Sequence, residues 1–324
     1  MDDFKQKPEV EEPPENDREE GSKDLPPGLN IYPRISPIAA AFIGLIGGFL
    51  LYQVVGGLLT LLIFGLDIKS APVNSVRLMT MAGQILFILL PALVFAKFFY
   101  VDVTQIIRVK FPKWEEVALF FAGIIVLTPL IQYYLSIQNY FINILAQNSS
   151  FVHSIKSFLD KLNDSVDKAY GGLLNAHSVF EGLLVIIIVA IVPAFCEETL
   201  FRGFIQRSFE FKMKPVWAAF ITAVFFALYH FNPYASVPLM MLGFYFGFAA
   251  YMSDSIFIPI SLHFFNNFLA VIFFFISGND DIINAAVDKN FDLQSSLLIF
   301  TGLLALFGIV VYFIKRYYSK RQYV

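Results

Sequence analysis

Ile191-Val-Pro-Ala-Phe-Cys-Glu-Glu-Thr-Leu-Phe-Arg202 closes a long apolar run that begins at Phe180. Two adjacent carboxylates at the end of such a run are costly. In a membrane they survive where they are paired, hydrated or functional. If the helix continues through this point, Glu198 and Arg202 stand at i,i+4 and can pair on one face. Glu197 then lies about 100° away around the helix and points elsewhere. The spacing predicts one carboxylate held in an ion pair and one free for chemistry. Cys196 beside them reads as a packing residue.

Composition sets the class. The chain has 324 residues, 57% hydrophobic and 15% charged, with a mean hydropathy of +0.65. A soluble domain is charged at roughly one residue in four. The apolar runs predict an all-α, polytopic transmembrane bundle of about eight spans in the lipid bilayer. The single cysteine excludes an intramolecular disulfide and any multi-cysteine metal site. Residues 1–24 carry ten acids and four bases, so the rest of the chain is slightly basic. Nothing here points to a nucleic-acid partner.

Working outward, residues 1–34 are acidic and proline-rich and predict a disordered tail. Residues 35–178 hold three spans, near 36–66, 76–100 and 114–137. The first is rich in glycine (Gly44, Gly47, Gly48, Gly56, Gly57), which allows close helix approach. Residues 101–113, with Arg108, Lys110 and Lys113, predict an amphipathic segment at the interface. Residues 138–178 predict short amphipathic helices outside the bilayer, with His153 and His177 solvated. Residues 179–277 hold spans four to seven. Span six carries Gly243 and Gly247 at a close-packing distance. Residues 278–324 hold a polar loop, the last span and a basic tail.

Polar residues inside spans four, five and seven carry the chemistry. They are Glu197-Glu198-x-x-x-Arg202, Phe226-x-x-x-His230 and His263-x-x-x-Asn267. Each spacing is i,i+4, so each pair shares a helix face. The set fits peptide hydrolysis without a covalent intermediate. Glu197 would be general base to a water, and His230 would hold and polarise that water. His263 and Asn267 would donate to the oxyanion. A serine mechanism through Ser261, near His263, lacks a nucleophile–base–orienter set.

These three motifs, in this order, resemble those of the type II CAAX prenyl protease and bacteriocin-processing family of membrane proteases, also called the abortive-infection family. The resemblance covers roughly residues 180–275. It implies a membrane-embedded endopeptidase with Glu197, His230, His263 and Asn267 as the catalytic set. Glu198, Arg202 and Phe226 would support them. It implies a peptide or protein substrate, prenylated in one branch of the family and a leader peptide in another.

No cofactor is required in this reading. The alternative is zinc held by Glu197, His230 and His263, the two-His-one-Glu set of many catalytic zinc sites. No His-Glu-x-x-His is present, and Asn267 is a poor zinc ligand. Two other classes compete. A proton-coupled transporter would relay protons through the same residues, and should show inverted repeats. A non-enzymatic immunity or scaffold protein would keep the fold without the reaction. In every case Glu197 and His230 meet only if span four runs on as a helix towards Arg207.

Basic residues at 97–113, 202–214 and 315–321 outweigh Lys69, Arg77 and Lys289 on the other side. The bias predicts an integral protein of the cell (inner) membrane with both termini cytoplasmic. Cysteine-accessibility labelling should therefore reach the 138–178 connection from outside only. Labelling of that connection solely from the cytoplasm would reverse the orientation.

Overall fold

The computed structural model describes residues 33–66, 71–100, 102–277 and 291–320. Most of the acidic segment, most of the 278–294 loop and the end of the basic tail lie outside the described residues. Every regular element among the described residues is helical. In chain order, α1 spans Pro37–Phe64, α2 Val73–Phe99 and α3 Val103–Ile107. Next come α4 Trp114–Asn148, α5 Ser150–Leu174 and α6 Val179–Glu210. The last four are α7 Pro215–Tyr229, α8 Ser236–Ser253, α9 Phe257–Ser277 and α10 Leu293–Ser319. Seven helices are long and apolar enough to cross a membrane, and α7 is apolar but shorter, at 15 residues. The bundle of about eight spans is thus the observed architecture.

Local sequence chemistry starts these helices. Pro37 and Pro215 occupy first helical positions, where no N–H is needed. The Asp102, Ser178 and Asp292 side chains accept from the first free N–H groups of α3, α6 and α10. Inside α2 and α6, wider π-helical stretches at Ile85–Leu89 and Ile187–Ile191 come just before Pro91 and Pro193. A proline ring would clash with the carbonyl four residues earlier in a regular helix, and the wider turn relieves that clash.

Helix α6 is the axis of the bundle. Gly44 and Gly48 of α1 lie against Phe204 and Leu200 of α6. Gly203 of α6 lies against Ile107 of α3. On the other side α8 runs antiparallel to α7, with Gly243 beside Ala223 and Gly247 beside Ala219. The close approach exposes two glycine carbonyls of α8 to α6. Arg202 Nη2 donates to Gly243 O at 3.1 Å, and Gln206 Nε2 donates to Gly247 O at 2.9 Å. Gln206 also donates to Glu210, which pairs with Arg108. Residues 198, 202, 206 and 210 therefore form one buried polar ladder at i,i+4 spacing.

Three expectations need correction. The 138–178 connection is not a set of short helices. Residues up to Asn148 extend α4, and α5 is a single 25-residue helix. No proline interrupts residues 150–174, so nothing in the sequence breaks the helix. The 101–113 segment does not lie free at an interface. Ile106 and Ile107 are buried, and Arg108 is buried in its ion pair with Glu210. Arg77 is no loop charge either. It is buried and donates to Asn74 Oδ1 (2.6 Å), to Leu173 O (2.9 Å) and to Asn175 O, closing the C-terminus of α5. His153 and His177 are exposed, as expected.

A side chain at Gly247 would meet Ala219 Cβ at 3.0 Å and Gln206 Oε1 at 2.6 Å. Gly247→Val should force α7 and α8 apart and break the Gln206 bond, costing about 1–3 kcal/mol. Thermal unfolding of the purified protein in detergent checks this. An unchanged melting temperature would contradict the packing described.

Candidate active site

Glu197 and Glu198 are neighbours in sequence with opposite surroundings. Glu198 is wholly buried, and its Oε1 accepts from Arg202 Nη1 at 2.8 Å. The Arg202 guanidinium lies 4.4 Å above the Phe226 ring. This cation–π contact and the Gly243 carbonyl help replace the water that Arg202 has lost. Glu198 Oε1 also accepts from His263 Nδ1 at 2.7 Å. Glu198 therefore holds Arg202 on its own helix and His263 on α9. That leaves Nε2 of His263 as the nitrogen available to a substrate.

Glu197 faces a cavity of about 460 Å³ lined by His230, His263 and Asn267. Its side chain retains 12% exposure and that of His230 22%, against zero for Glu198 and Arg202. Glu197 Oε1 accepts from Gln84 Nε2 at 3.2 Å. Glu197 Oε2 makes no hydrogen bond and lies 3.9 Å from His230 Nε2. That is too long for a direct hydrogen bond. His230 Nδ1 lies 2.7 Å from the Phe226 carbonyl. A carbonyl only accepts, so Nδ1 carries the proton and Nε2 presents a lone pair. His230 ends α7, and Phe231 follows with a φ of 50°, a left-handed turn that stops the helix.

Asn267 is placed by a backbone defect. Pro193 has no N–H to give the Val189 carbonyl four residues earlier. Asn267 Nδ2 donates to that carbonyl at 3.1 Å. Asn266 Nδ2 donates to Asn267 Oδ1 at 3.2 Å, which fixes the amide orientation. The second Nδ2 hydrogen of Asn267 stays free for a ligand. All seven residues expected at the site are thus within one neighbourhood. Glu197, His230, His263, Asn267 and Phe226 line the cavity, and Glu198 and Arg202 stand behind it.

Several residues of the site lie beyond the three motifs. Gln84 of α2 is 6% exposed and holds Glu197. A lone glutamine inside an apolar span is itself a signal of this kind. Asn266, Tyr52, Thr80 and the end of α5 at Leu173 and Leu174 also line the cavity. Their contribution depends on helix packing and has no local spacing to betray it. A smaller cavity of about 220 Å³ also adjoins Glu197 and His230, against Gln53, Tyr229 and Phe231. The Ser261 hydroxyl donates to Phe257 O at 2.7 Å, within its own helix. Among the described residues, no group of three His, Cys, Asp or Glu side chains is arranged to hold a metal ion.

Residues 179–269 match the family model described as type II CAAX prenyl endopeptidase, Rce1-like. The chain carries an Rce1-like domain. Helices α6, α7 and α8 and the first half of α9 make up this Rce1-like domain, and all three motifs fall inside it. The match supports a membrane endopeptidase in general. No curated protein and no solved structure matches the chain significantly.

Glu198→Gln should remove the countercharge of a fully buried arginine. Breaking one side of such a pair costs about 3–5 kcal/mol. A clear fall in melting temperature is expected, larger than for Glu197→Gln. Equal stability of the two variants would show that the Glu198–Arg202 pair does not anchor the site.

Proposed function

We propose that the protein is an intramembrane endopeptidase that hydrolyses a peptide bond with a glutamate-activated water. The 3.9 Å seat between Glu197 Oε2 and His230 Nε2 carries this reading. A water there would donate one hydrogen to each acceptor and turn its lone pair towards the larger cavity. Glu197 takes the proton as the water attacks the scissile carbonyl, and returns it to the leaving amine. The general base needs a free lone pair beside a cavity, and Oε2 has no hydrogen-bond partner on a side chain that keeps 12% exposure. Gln84 fixes the other carboxylate oxygen and so holds the base in register.

The oxyanion that forms would be met by Asn267 Nδ2 and by His263 Nε2, the latter once the imidazole is doubly protonated. Glu198, bonded to His263 Nδ1, orients the ring that lines the cavity. The smaller cavity beside Glu197 gives water a path to its seat, while the larger one takes the peptide. Hydrolysis by this route needs no metal. The zinc alternative would require Glu197, His230 and His263 to turn towards one point, and His263 would have to share its position with Glu198. The substrate is a membrane-associated peptide, either prenylated at its end or a leader segment. Both present an apolar portion next to the scissile bond, and both suit a cavity enclosed by apolar helices.

Peptide cleavage by the purified full chain tests the reading. Glu197→Gln should abolish cleavage while the protein keeps its melting temperature. Asn267→Ala should lower the rate by roughly 10²–10³. Addition of a strong chelator should leave the rate unchanged. Full activity of the Glu197→Gln protein, or loss of activity on chelation that zinc restores, would overturn the mechanism.

A further inference from the structure

Away from the Glu197 cavity, an apolar hollow of about 630 Å³ lies between α4, α7, α8 and α10. It shares no lining residue with the catalytic cavity. Phe244, Phe248 and Tyr251 of α8 line one wall, and Leu304, Phe307 and Val311 of α10 line another. Tyr245, at its floor, is 2% exposed, whereas Val216 and Leu304 on its rim are 54% and 49% exposed. The hollow is therefore closed inside and open towards the outer surface of the bundle, where lipid lies.

Two charged residues line it, Lys214 and Lys315. Both belong to one end. Because α7 and α8 are antiparallel with Gly247 beside Ala219, Lys214 lies at the Tyr251 end of α8. Phe307 of α10 is level with Tyr245, with ring centroids 5.5 Å apart. Further along α10, Tyr318 meets Phe120, which itself packs on Phe248. Lys315 thus reaches the same end as Lys214. From Leu304 to Lys315 is about 16 Å along the helix. That is roughly half of the ~30 Å hydrocarbon layer, the depth of one leaflet.

An apolar trough one leaflet deep, with two ammonium groups at its mouth, matches an amphiphile with an acyl chain and an anionic head. We propose that this hollow is a binding site for an anionic phospholipid, with the acyl chain along α8 and α10 and the phosphate between Lys214 and Lys315. A neutral lipid would fill the trough but leave the lysines without a counterion. Free phosphate would meet the lysines but leave the trough unfilled. The site has a structural consequence for the Rce1-like domain. Its inner wall is α8, whose other side presents the Gly243 and Gly247 carbonyls to Arg202 and Gln206. The lipid braces that helix from behind. The proposal concerns binding alone and does not depend on the hydrolytic mechanism.

The test is native mass spectrometry of the full chain, purified in mild detergent. The protein is offered an equimolar mixture of phosphatidylglycerol and phosphatidylcholine with identical acyl chains. Two surface lysines predict a preference of roughly thirtyfold for phosphatidylglycerol. The exposed double variant Lys214→Gln/Lys315→Gln should lose that preference. Leu304→Trp, which fills the trough and keeps both lysines, should lose it as well. Equal retention of the two lipids by the natural protein would overturn the proposal. So would undiminished preference in either variant, or displacement of the bound lipid by inorganic phosphate alone.

Discussion

A fully buried ion pair is hard to accommodate in a protein that lives in hydrocarbon. Desolvating both charges costs more than their attraction returns unless every remaining donor and acceptor finds a partner. The Glu198–Arg202 pair, with both side chains at zero exposure, answers much of this demand by recruiting three other helices, while Glu198 Oε2 and Arg202 Nε keep no hydrogen-bond partner. Arg202 takes a carbonyl from α8 and a ring from α7, and Glu198 takes an imidazole from α9. The packing of α6 against α7, α8 and α9 is what the pair requires in order to exist. Gly243 and Gly247 follow from the same demand. Only a residue without a side chain lets α8 come close enough to offer its carbonyls while it also touches α7.

Glu197 gains its freedom from the same event. Held one position along, Glu198 sets the rotation of α6, and Glu197 is turned about 100° away into the cavity. Two adjacent carboxylates thus occupy two environments, one wholly buried against Arg202 and His263 and one partly exposed to the cavity. The backbone helps. Pro193 leaves the Val189 carbonyl without its helical donor, and Asn267 fills that place. A proline that looks like an interruption of a membrane span is here a fixing point for a side chain on α9.

The matched segment does not enclose the cavity by itself. Gln84 and Thr80 come from α2, Tyr52 from α1, and Leu173 and Leu174 from the end of α5. Arg77 ties that end of α5 to α2 through two backbone carbonyls. The three motifs lie within residues 179–269, while much of the cavity wall lies outside them. Under the proposed function, selectivity between peptides would rest largely on helices outside the matched segment.

The sequence alone determined the helical membrane class, most spans to within a few residues with α4 the exception, and the seven residues of the three motifs. Each of these is written in local periodicity. An apolar run shows a span, and an i,i+4 step shows a shared face. The Glu198–Arg202 pair was legible for that reason. Its continuation through Gln206 and Glu210 had the same spacing, yet it gains meaning only from the α8 carbonyls and from Arg108, which are distant in sequence. Only the tertiary structure decided that His263 bonds to Glu198, that Gln84 holds Glu197, that Arg77 and Arg108 are buried, and that α5 is one helix closing the cavity. These are contacts between residues tens of positions apart, and no period within a single helix encodes them. Packing brings them together, because a polar group in hydrocarbon must find a partner wherever the fold places one.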